Sequence, residues 1–292
     1  MDWKAVAEAV EQTADVAMTG ARAWPIGGGC INSAFRLDGP NQSYFVKIND
    51  AVQHAMFEAE AQGLRLLAGC VDGPRVPAVV TTGIAGAQAY LVLEYVQLRS
   101  ARLEDFTQLG RRLAALHRVE SDRYGLGYDN TIGLTPQLNG WRDSWVDFFR
   151  EQRLAYQLEL AAGNGHAALR EEAQVLVERL EEFFVDYRPV ASLLHGDLWS
   201  GNVAYDRSGT PVIFDPACYY GDRETDLAMT ELFGGFHEHF YRAYDEAFPL
   251  DAGYGVRKWL YQLYHVLNHC NLFGGGYRAQ AQDLIRRLKA EL

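Results

Sequence analysis

The sequence predicts an α+β fold of two lobes, with a small β-rich lobe over residues 1–98 and a larger, mainly helical lobe over residues 99–292. Strand-like runs with apolar side chains, such as residues 44–48 and 90–96, dominate the first part of the chain. From Leu103 onward leucines recur at helical spacing instead, so the two lobes are expected to meet just before it. The 292 residues, of which 48% are hydrophobic, suffice for two substantial cores.

The predicted elements alternate between strands and helices along the chain. Residues 3–10 carry apolar side chains at helical spacing and predict a first helix. A Gly-rich turn over residues 27–33 then separates two strand-like runs. The next strand contains Lys47, which by period-two alternation shares a face with Phe45. The remaining helices are predicted over residues 55–68, 103–117, 141–162, 166–187, 224–233, 235–247, 256–272 and 277–291.

Charge and composition limit the possible partners. The formal net charge of −11 and the pI near 5.2 argue against nucleic acid or an anionic membrane as the main partner. The first residues lack the apolar core of a signal peptide. The longest uncharged run, residues 76–93, contains Pro77 and Gly83 and is typical of two strands around a turn rather than of a membrane span. We therefore expect a cytoplasmic protein.

Four candidate catalytic residues lie between positions 193 and 216: His195, Asp197, Asn202 and Asp215. Asn202 follows Asp197 by five residues and Asp215 follows Asn202 by 13, which resembles the H-R-D-x-x-x-x-N and D-F-G arrangement of kinases. Phosphoryl transfer needs a base for the acceptor hydroxyl and oxygen ligands for Mg²⁺. Asp197 suits the first role, and Asn202 with Asp215 the second. The alternative is that these residues are ordinary turn formers, but their order between two strand-like runs favours catalysis.

A nucleotide site is predicted in the N-terminal lobe. Glycines without a Cβ let backbone N–H groups approach a phosphate closely. Gly28, Gly29 and Cys30 are therefore candidate contacts to ATP. In a two-lobed kinase, the strand over residues 90–96 would run into the hinge, where adenine is bound by backbone groups of Glu94, Tyr95 and Val96.

Lys47 lies within an apolar strand and needs a partner. In the kinase arrangement, such a lysine pairs with a glutamate of the following helix and contacts nucleotide phosphates. Glu60 is the better candidate because Leu64 follows it by four residues, as in the kinase pattern. Glu58 is the alternative, and the glutamate that does not pair is expected on a solvated helix face.

Longer segments resemble a known family. They comprise the Gly-rich turn and residues 129–133, 195–202, 215–221 and 261–269, which include Asp-Asn-Thr-Ile-Gly and His-Gly-Asp-Leu-Trp-Ser-Gly-Asn. Over about residues 24–276 the chain resembles the fructosamine kinases, also called ketosamine-3-kinases. The resemblance implies a protein-kinase-like fold and the phosphorylation, with ATP and Mg²⁺, of O3 of a ketosamine, the Amadori product of a sugar and an amine. Elimination of the 3-phosphate would regenerate the amine, which implies protein or amine deglycation.

The resemblance gives the same roles to the candidates above and adds Asp226 as an acid that braces the catalytic loop. Two departures from the protein-kinase pattern are Gly196, where His-Arg-Asp has arginine, and Pro216 after Asp215. Control by phosphorylation of an activation loop uses that arginine and is therefore not expected.

The sequence gives less information about which residues bind the acceptor substrate. Trp199 follows the candidate base by two residues and could either wall the sugar site or lie in the core. His265, Asn268 and His269 share one face of a late helix. They could line the sugar pocket, as the resemblance suggests, or pack inside the lobe. Asp222 or Glu224 is a candidate to receive the amine of the substrate.

Several alternatives stay open at this level. The family resemblance implies that Cys30 could link two chains in a redox-dependent dimer; the alternative is a small residue in a monomer's tight turn. The runner-up functions are another small-molecule kinase of the aminoglycoside- or choline-kinase type and a nucleotide-binding pseudokinase. The pseudokinase is disfavoured because Lys47, Asp197, Asn202 and Asp215 are all present. The sugar could be fructose, ribulose or erythrulose, and the amine free or protein-bound.

Overall fold

A five-stranded antiparallel sheet forms the N-terminal part of the molecule, whose computed structural model describes residues 1–27 and 31–292. Its strands are β1 (Arg22–Ile26), β2 (Ser33–Asp38), β3 (Ser43–Asp50), β4 (Val79–Ala85) and β5 (Gln88–Glu94). They are arranged in the order β1-β2-β3-β5-β4. The central strand β3 is therefore bonded on both sides, which holds Lys47 in a fixed place.

Helices α1 (Trp3–Ala14) and α2 (His54–Ala68) cover the two faces of this sheet. Val46 of β3 packs in one core cluster with Val6 of α1. Leu91 packs in another with Phe57 of α2. Because Lys47 is paired with Leu91 in the sheet, its side chain points to the α2 face.

Helices dominate the rest of the chain, and several of them pack against one long central helix. Within the described residues, none of the helices is both long and apolar enough to cross a membrane. The core contains Phe149, Leu158, Tyr261, Leu267 and Ile285, all fully or almost fully buried. The helices are α3 (Leu103–Leu116), α4 (Trp145–Phe149), α5 (Tyr156–Gly163), α6 (Ala167–Glu178), α7 (Glu224–Leu232), α8 (Glu238–Ala247), the central α9 (Tyr254–Phe273) and α10 (Tyr277–Lys289).

Short strands frame the stretch that carries the candidate catalytic residues. They are β6 (Leu98–Arg99), β7 (Glu120–Ser121), β8 (Asn130–Ile132), β9 (Thr135–Gln137), β10 (Ala191–Leu194), β11 (Val203–Asp206), β12 (Pro211–Ile213) and β13 (Tyr219–Gly221). They form the sheets β13-β10-β7 and β12-β11-β6 and the hairpin β8-β9. Residues 195–202 are thus held at both ends by a small sheet.

The helix predicted over residues 141–162 is interrupted. A π-helical segment, Arg150–Ala155, separates α4 from α5. It carries Arg153, whose buried guanidinium donates to the backbone oxygen of Leu138 at 2.5 Å and to Oδ1 of Asn139 at 2.7 Å. These bonds tie the π-helical segment to a neighbouring loop.

Arg75 ties the N-terminal sheet to the C-terminal part. Its backbone N–H donates to the oxygen of Pro211 at 2.9 Å, and its own oxygen accepts from Ile213 at 2.9 Å. Its guanidinium pairs with Asp206 at 2.9 Å and also with Glu94. The predicted boundary between residues 98 and 99 falls inside β6, which pairs with β11, and the division into lobes at this position stays a prediction.

The contact between α3 and α8 leaves no room for a side chain at Gly110. A Cβ there would overlap the backbone oxygen of Phe240 and lie 3.0 Å from the nitrogen of Tyr244. We expect Gly110→Ala to lower the free energy of unfolding by about 1–3 kcal/mol, because overpacking outweighs the better helix propensity of alanine. Gly163→Ala, at the open end of α5, is the control and should change stability by less than about 1 kcal/mol, in the stabilising direction. Urea unfolding measures the free energy of unfolding of both variants. Equal values for Gly110→Ala and Gly163→Ala would contradict the prediction.

Candidate active site

The loop between β10 and β11 brings Asp197 and Asn202 together. A short 3₁₀ turn over Ser200–Asn202 folds the chain back. Nδ2 of Asn202 donates to the backbone oxygen of Asp197 at 2.8 Å and to its Oδ2 at 3.3 Å. Within the described residues, the amide oxygen of Asn202 accepts no side-chain or backbone hydrogen bond, so it is available to a cation.

The environment of Asp197 suits a proton acceptor. The residue is half-buried. Burial, and then the negative charge of Asp215, raise the pKa of its carboxyl to about 7. A base whose pKa lies near the working pH is effective in proton transfer.

Asp215 follows β12 in a left-handed backbone conformation with φ of 59°. The preceding residue, Phe214, donates its N–H to the backbone oxygen of Asn202 at 3.1 Å, and its oxygen accepts from Nε2 of His195 at 3.1 Å. Nδ1 of His195 accepts the N–H of Asp197 at 3.3 Å. Burial lowers the pKa of His195, and the neutral ring thereby connects the Asp197 loop to the Asp215 loop.

Lys47 bridges two carboxylates. Its Nζ lies 2.6 Å from Oε1 of Glu60 and 2.5 Å from Oδ1 of Asp215. Burial alone would lower the pKa of Lys47, but the two carboxylates raise it above its usual value. The structure thus brings Glu60 to Lys47, whereas Glu58 is exposed and lies 3.8 Å from His54.

The carboxylate of Asp226, in the first turn of α7, braces the catalytic loop from inside the protein. It accepts the backbone N–H of His195 at 2.7 Å and that of Gly196 at 2.8 Å. Nε2 of His117 lies 3.2 Å from the same carboxylate. Burial would raise the pKa of Asp226, but these hydrogen bonds, led by that of His117, keep it below its usual value. A charged group therefore fixes the loop next to the candidate base.

Gly196 allows the two loops to touch. Its φ is +83°, and a Cβ would overlap the backbone oxygen of Ala217. The N–H of Ala217 in turn donates to the oxygen of His195 at 2.8 Å. Only glycine fits this contact, which is a structural reason for the departure from His-Arg-Asp.

A polar network supports the Asp215 loop from the opposite side. Nε2 of Gln137 donates to the oxygen of Ala217 at 3.0 Å and to Oδ1 of Asn130 at 2.8 Å. Nδ2 of Asn130 donates to the oxygen of Cys218 at 2.8 Å. The hydroxyl of Tyr264 donates to Oε1 of Gln137 at 2.6 Å. Sequence reasoning did not identify these residues as part of the site, although the density of polar groups over residues 129–139 was a signal.

The end of β5 offers fewer backbone groups to adenine than predicted. The N–H of Glu94 donates to the oxygen of Ala78 at 2.8 Å, so it is not available to a ligand. The side chain of Glu94 pairs with Arg75. In the part of the chain that the structure describes, the N–H groups of Tyr95 and Val96 donate to no protein atom.

An aromatic wall stands beside the candidate base. The ring of Trp199 is 37% exposed and lies over Gly201, where a Cβ would overlap it. It meets Phe233 edge-on at 5.9 Å between ring centroids, and Phe233 lies 4.9 Å from His269. Phe233 was not among the predicted site residues, whereas His269 was a candidate for the sugar pocket.

His265 and Asn268 lie in the protein interior. His265 is fully buried, and neither of its ring nitrogens has a partner among the described residues. Burial lowers its pKa to about 3. Asn268 accepts from Gln157 at 3.2 Å and donates to the oxygen of Ile132 at 3.4 Å. The amide of Asn268 is therefore bonded inside the lobe, in line with the packing alternative rather than with an open pocket wall.

Asp222 and Glu224 are fully buried, contrary to the expectation that one of them receives the amine of a substrate. Asp222 accepts from the hydroxyl of Tyr261 at 2.5 Å. Glu224 forms two hydrogen bonds with the guanidinium of Arg257, at 2.8 and 2.9 Å. Both carboxylates thus have internal partners and no open side.

The predicted phosphate contacts Gly28, Gly29 and Cys30 lie outside the described residues. Their roles, and the redox link through Cys30, stay predictions.

Comparisons with known proteins show similarity over nearly the whole chain. The family model for fructosamine kinase matches residues 2–291. A Synechocystis protein named probable ketoamine kinase is 46% identical over 98% of this chain and 96% of its own. The chloroplastic protein-ribulosamine 3-kinase of Arabidopsis thaliana is 43% identical over 91% of this chain and 83% of its own.

A solved structure extends the similarity to the fold. The crystal structure from Haemophilus somnus named "Putative fructosamine-3-kinase" has a TM-score of 0.90 and 32% identity, and the match covers 98% of this chain and 97% of that one. The predictions of the family, of the two-lobed kinase-like α+β fold and of a phosphotransferase are thereby confirmed. The chain belongs to the fructosamine kinase family.

Proposed function

We propose that this kinase transfers the γ-phosphoryl group of ATP to O3 of a ketosamine and so serves the deglycation of amines or proteins. The names of its relatives, ketoamine kinase and protein-ribulosamine 3-kinase, support this acceptor class. The observation that carries the proposal is the geometry of Asp197, which is half-buried, accepts a hydrogen bond from Asn202 and has a pKa raised to about 7. The cytoplasm stays the expected location.

Residues of this chain supply a base, a positive charge and a support for the catalytic loop. The carboxylate of Asp197 takes the proton of the O3 hydroxyl while that oxygen bonds to the γ-phosphorus and the bond to the β,γ-bridging oxygen breaks. ADP leaves with the bridging oxygen. Lys47, held between Glu60 and Asp215, directs a positive charge to the phosphates. Asp226 keeps the loop of the base in place.

The donor atoms at Asn202 and Asp215 fit Mg²⁺. The amide oxygen of Asn202 is free of protein donors among the described residues, and Lys47 uses only Oδ1 of Asp215. Mg²⁺ is usually held by one or two carboxylates together with phosphate oxygens and water. When bound, the ion would neutralise charge on the phosphate oxygens.

The first test measures ADP release with Mg·ATP and a panel of acceptors: fructosyl-, ribulosyl- and erythrulosyl-lysine, choline, an aminoglycoside and no acceptor. We expect turnover only with the ketosamines. Asp197→Asn should lower kcat by about 10²- to 10⁴-fold, because the general base is lost, while Asp186→Asn, on the surface, should leave kcat unchanged. Turnover confined to choline or the aminoglycoside would assign another acceptor class. ATP binding without any turnover would indicate a pseudokinase.

The metal role of Asn202 is tested by titrating Mg²⁺. Asn202→Ala removes an oxygen ligand and should raise the Mg²⁺ concentration for half-maximal rate by at least about tenfold. The exposed Asn164→Ala is the matched control, since the side-chain amide of Asn164 bonds to Asn271 on the surface. The same half-saturating Mg²⁺ concentration in wild type and Asn202→Ala would exclude this role.

Gln137 is expected to position the metal-binding loop. Gln137→Leu keeps a similar volume but leaves the backbone oxygen of Ala217 without this donor, so the loop that carries Asp215 should loosen. We expect kcat to fall about 10- to 100-fold and the half-saturating Mg²⁺ concentration to rise, whereas the exposed Gln174→Leu should change neither. A lower melting temperature with unchanged Mg²⁺ dependence would mean that Gln137 acts only on stability.

A further inference from the structure

A chain of buried side chains leads away from the catalytic loop behind Asp226. Nε2 of His117, the residue that follows α3, lies 3.2 Å from Oδ2 of Asp226. Nδ1 of the same ring lies 2.8 Å from the hydroxyl of Tyr244 in α8. Nη1 of Arg223 donates to that hydroxyl at 3.0 Å. These three contacts connect α3, α7 and α8 behind the loop that carries Asp197.

The donors and acceptors of this chain have one consistent direction. A guanidinium has only donors, so the oxygen of Tyr244 accepts from Arg223. Among the described residues, the only acceptor for the hydroxyl hydrogen of Tyr244 is Nδ1 of His117. A carboxylate has only acceptors, so Nε2 of His117 carries a proton and donates it to Asp226. His117 is therefore a neutral ring in its Nε2–H tautomer.

Water cannot replace a missing member of this chain, because the chain is buried. His117, Tyr244 and Asp226 are fully buried, and Arg223 is 8% exposed. The two ends carry opposite charges, the guanidinium and the carboxylate, and two neutral groups connect them. Hydrogen bonds in such a chain polarise one another in the low-dielectric interior, so each bond strengthens the next.

Arg223 anchors the far end of the chain. Its Nη1 donates to the backbone oxygen of Phe248 at 2.8 Å, and its Nη2 to that of Pro249 at 2.5 Å. The guanidinium also lies 3.7 Å from the centroid of the Phe248 ring. Two main-chain oxygens and one ring thus fix the guanidinium against the segment after α8, and the hydroxyl of Tyr244 meets a donor that is held in place.

The near end of the chain shares an oxygen with the catalytic loop. Oδ2 of Asp226 accepts both from His117 and from the backbone N–H of His195, at 2.7 Å for the latter. Oδ1 accepts from the N–H of Gly196 at 2.8 Å. Asp197 follows Gly196 directly. A change in the bond from His117 therefore acts on the same oxygen that holds the main chain just before the base.

We propose that His117 and Tyr244 are positioning residues for phosphoryl transfer, which hold the carboxylate of Asp226, and with it the main chain before Asp197, in the orientation that the transfer needs. Both side chains are fully buried and have no surface that a substrate could contact. This role rests on the proposed function, in which Asp197 is the base. Loss of either side chain should therefore slow the transfer rather than weaken the binding of substrates.

The first test measures the rate of phosphoryl transfer in a single turnover of the full-length enzyme with ATP and ribulosyl-lysine, so that product release does not limit it. Tyr244→Phe keeps the ring and removes the hydroxyl. It should lower this rate by about three- to tenfold, the effect of one buried hydrogen bond, and leave both KM values within about twofold. Tyr254→Phe is the matched control, since the hydroxyl of Tyr254 donates to Glu231 at 2.6 Å, outside this chain. It should leave the rate unchanged.

Two variants of His117 separate hydrogen bonding from packing. Glutamine offers a donor for Asp226 and an acceptor for the hydroxyl of Tyr244, whereas leucine offers neither. His117→Leu should lower the transfer rate by about 10- to 100-fold, because a charged group loses a donor. His117→Gln should be faster than His117→Leu by at least about fivefold. If His117→Leu does not fold, the comparison of Tyr244→Phe with Tyr254→Phe decides.

The ¹⁵N NMR signals of the imidazole rings test the direction of the chain without any substrate. The signals of His117 are those that disappear in His117→Gln, and in wild type they should be those of the Nε2–H tautomer. Nδ1 loses its donor in Tyr244→Phe, so its signal should shift there and stay unchanged in Tyr254→Phe. An Nδ1–H tautomer or a doubly protonated ring in wild type would overturn the chain.

The outcomes distinguish this role from the proposed function. Wild-type transfer rates in Tyr244→Phe and in His117→Leu, with only the melting temperature lowered, would overturn the positioning role while ketosamine phosphorylation stands. Equal rates in His117→Gln and His117→Leu would overturn it as well. Turnover of choline or an aminoglycoside alone by wild type would overturn the proposed acceptor, and the same variants measured with that acceptor would still decide on the positioning role.

Discussion

The ion pairing of Lys47 with Glu60 and Asp215 is the interaction on which the arrangement of the site depends. It joins β3 and α2 of the N-terminal part to the loop after β12 over distances of 2.6 and 2.5 Å. A buried ion pair adds little net stability, because desolvation of the charges offsets their attraction. Here the ion pair serves to position the groups that it joins. It fixes the carboxylate of Asp215 relative to the sheet, while the backbone of the same residue is held by the C-terminal part.

Two independent supports hold the loops that meet at this point. Asp226 accepts backbone N–H groups of the loop that carries Asp197. Gln137 donates to the backbone oxygen of Ala217 in the loop that carries Asp215. Both supports act on main-chain atoms close to Asp197 and Asp215, so they do not occupy the side-chain oxygens of these two residues. Gly196 lets the two loops pack directly, and each then limits the motion of the other.

Local sequence patterns predicted the charged residues that the structure brings together at Lys47. Strand alternation predicted which face of β3 carries Lys47, and a leucine four residues after Glu60 favoured that residue over its neighbour. The supporting network could not be found in this way. Gln137 and its partner are separated by 80 residues, and amide side chains show no periodicity that indicates burial. Asp222 seemed open to a substrate for the same reason, since its partner Tyr261 lies 39 residues away.

The aromatic wall is held differently from the catalytic loop. Hydrogen bonds to the main chain hold the loop that carries Asp197, whereas packing between the rings of Trp199, Phe233 and His269 forms the wall beside it. Trp199 belongs to both, because it follows Asp197 by two residues and leans on Phe233. Its ring lies over Gly201, so a larger residue there would displace the ring. The position of the Trp199 ring and the path of the catalytic loop are therefore coupled through one glycine.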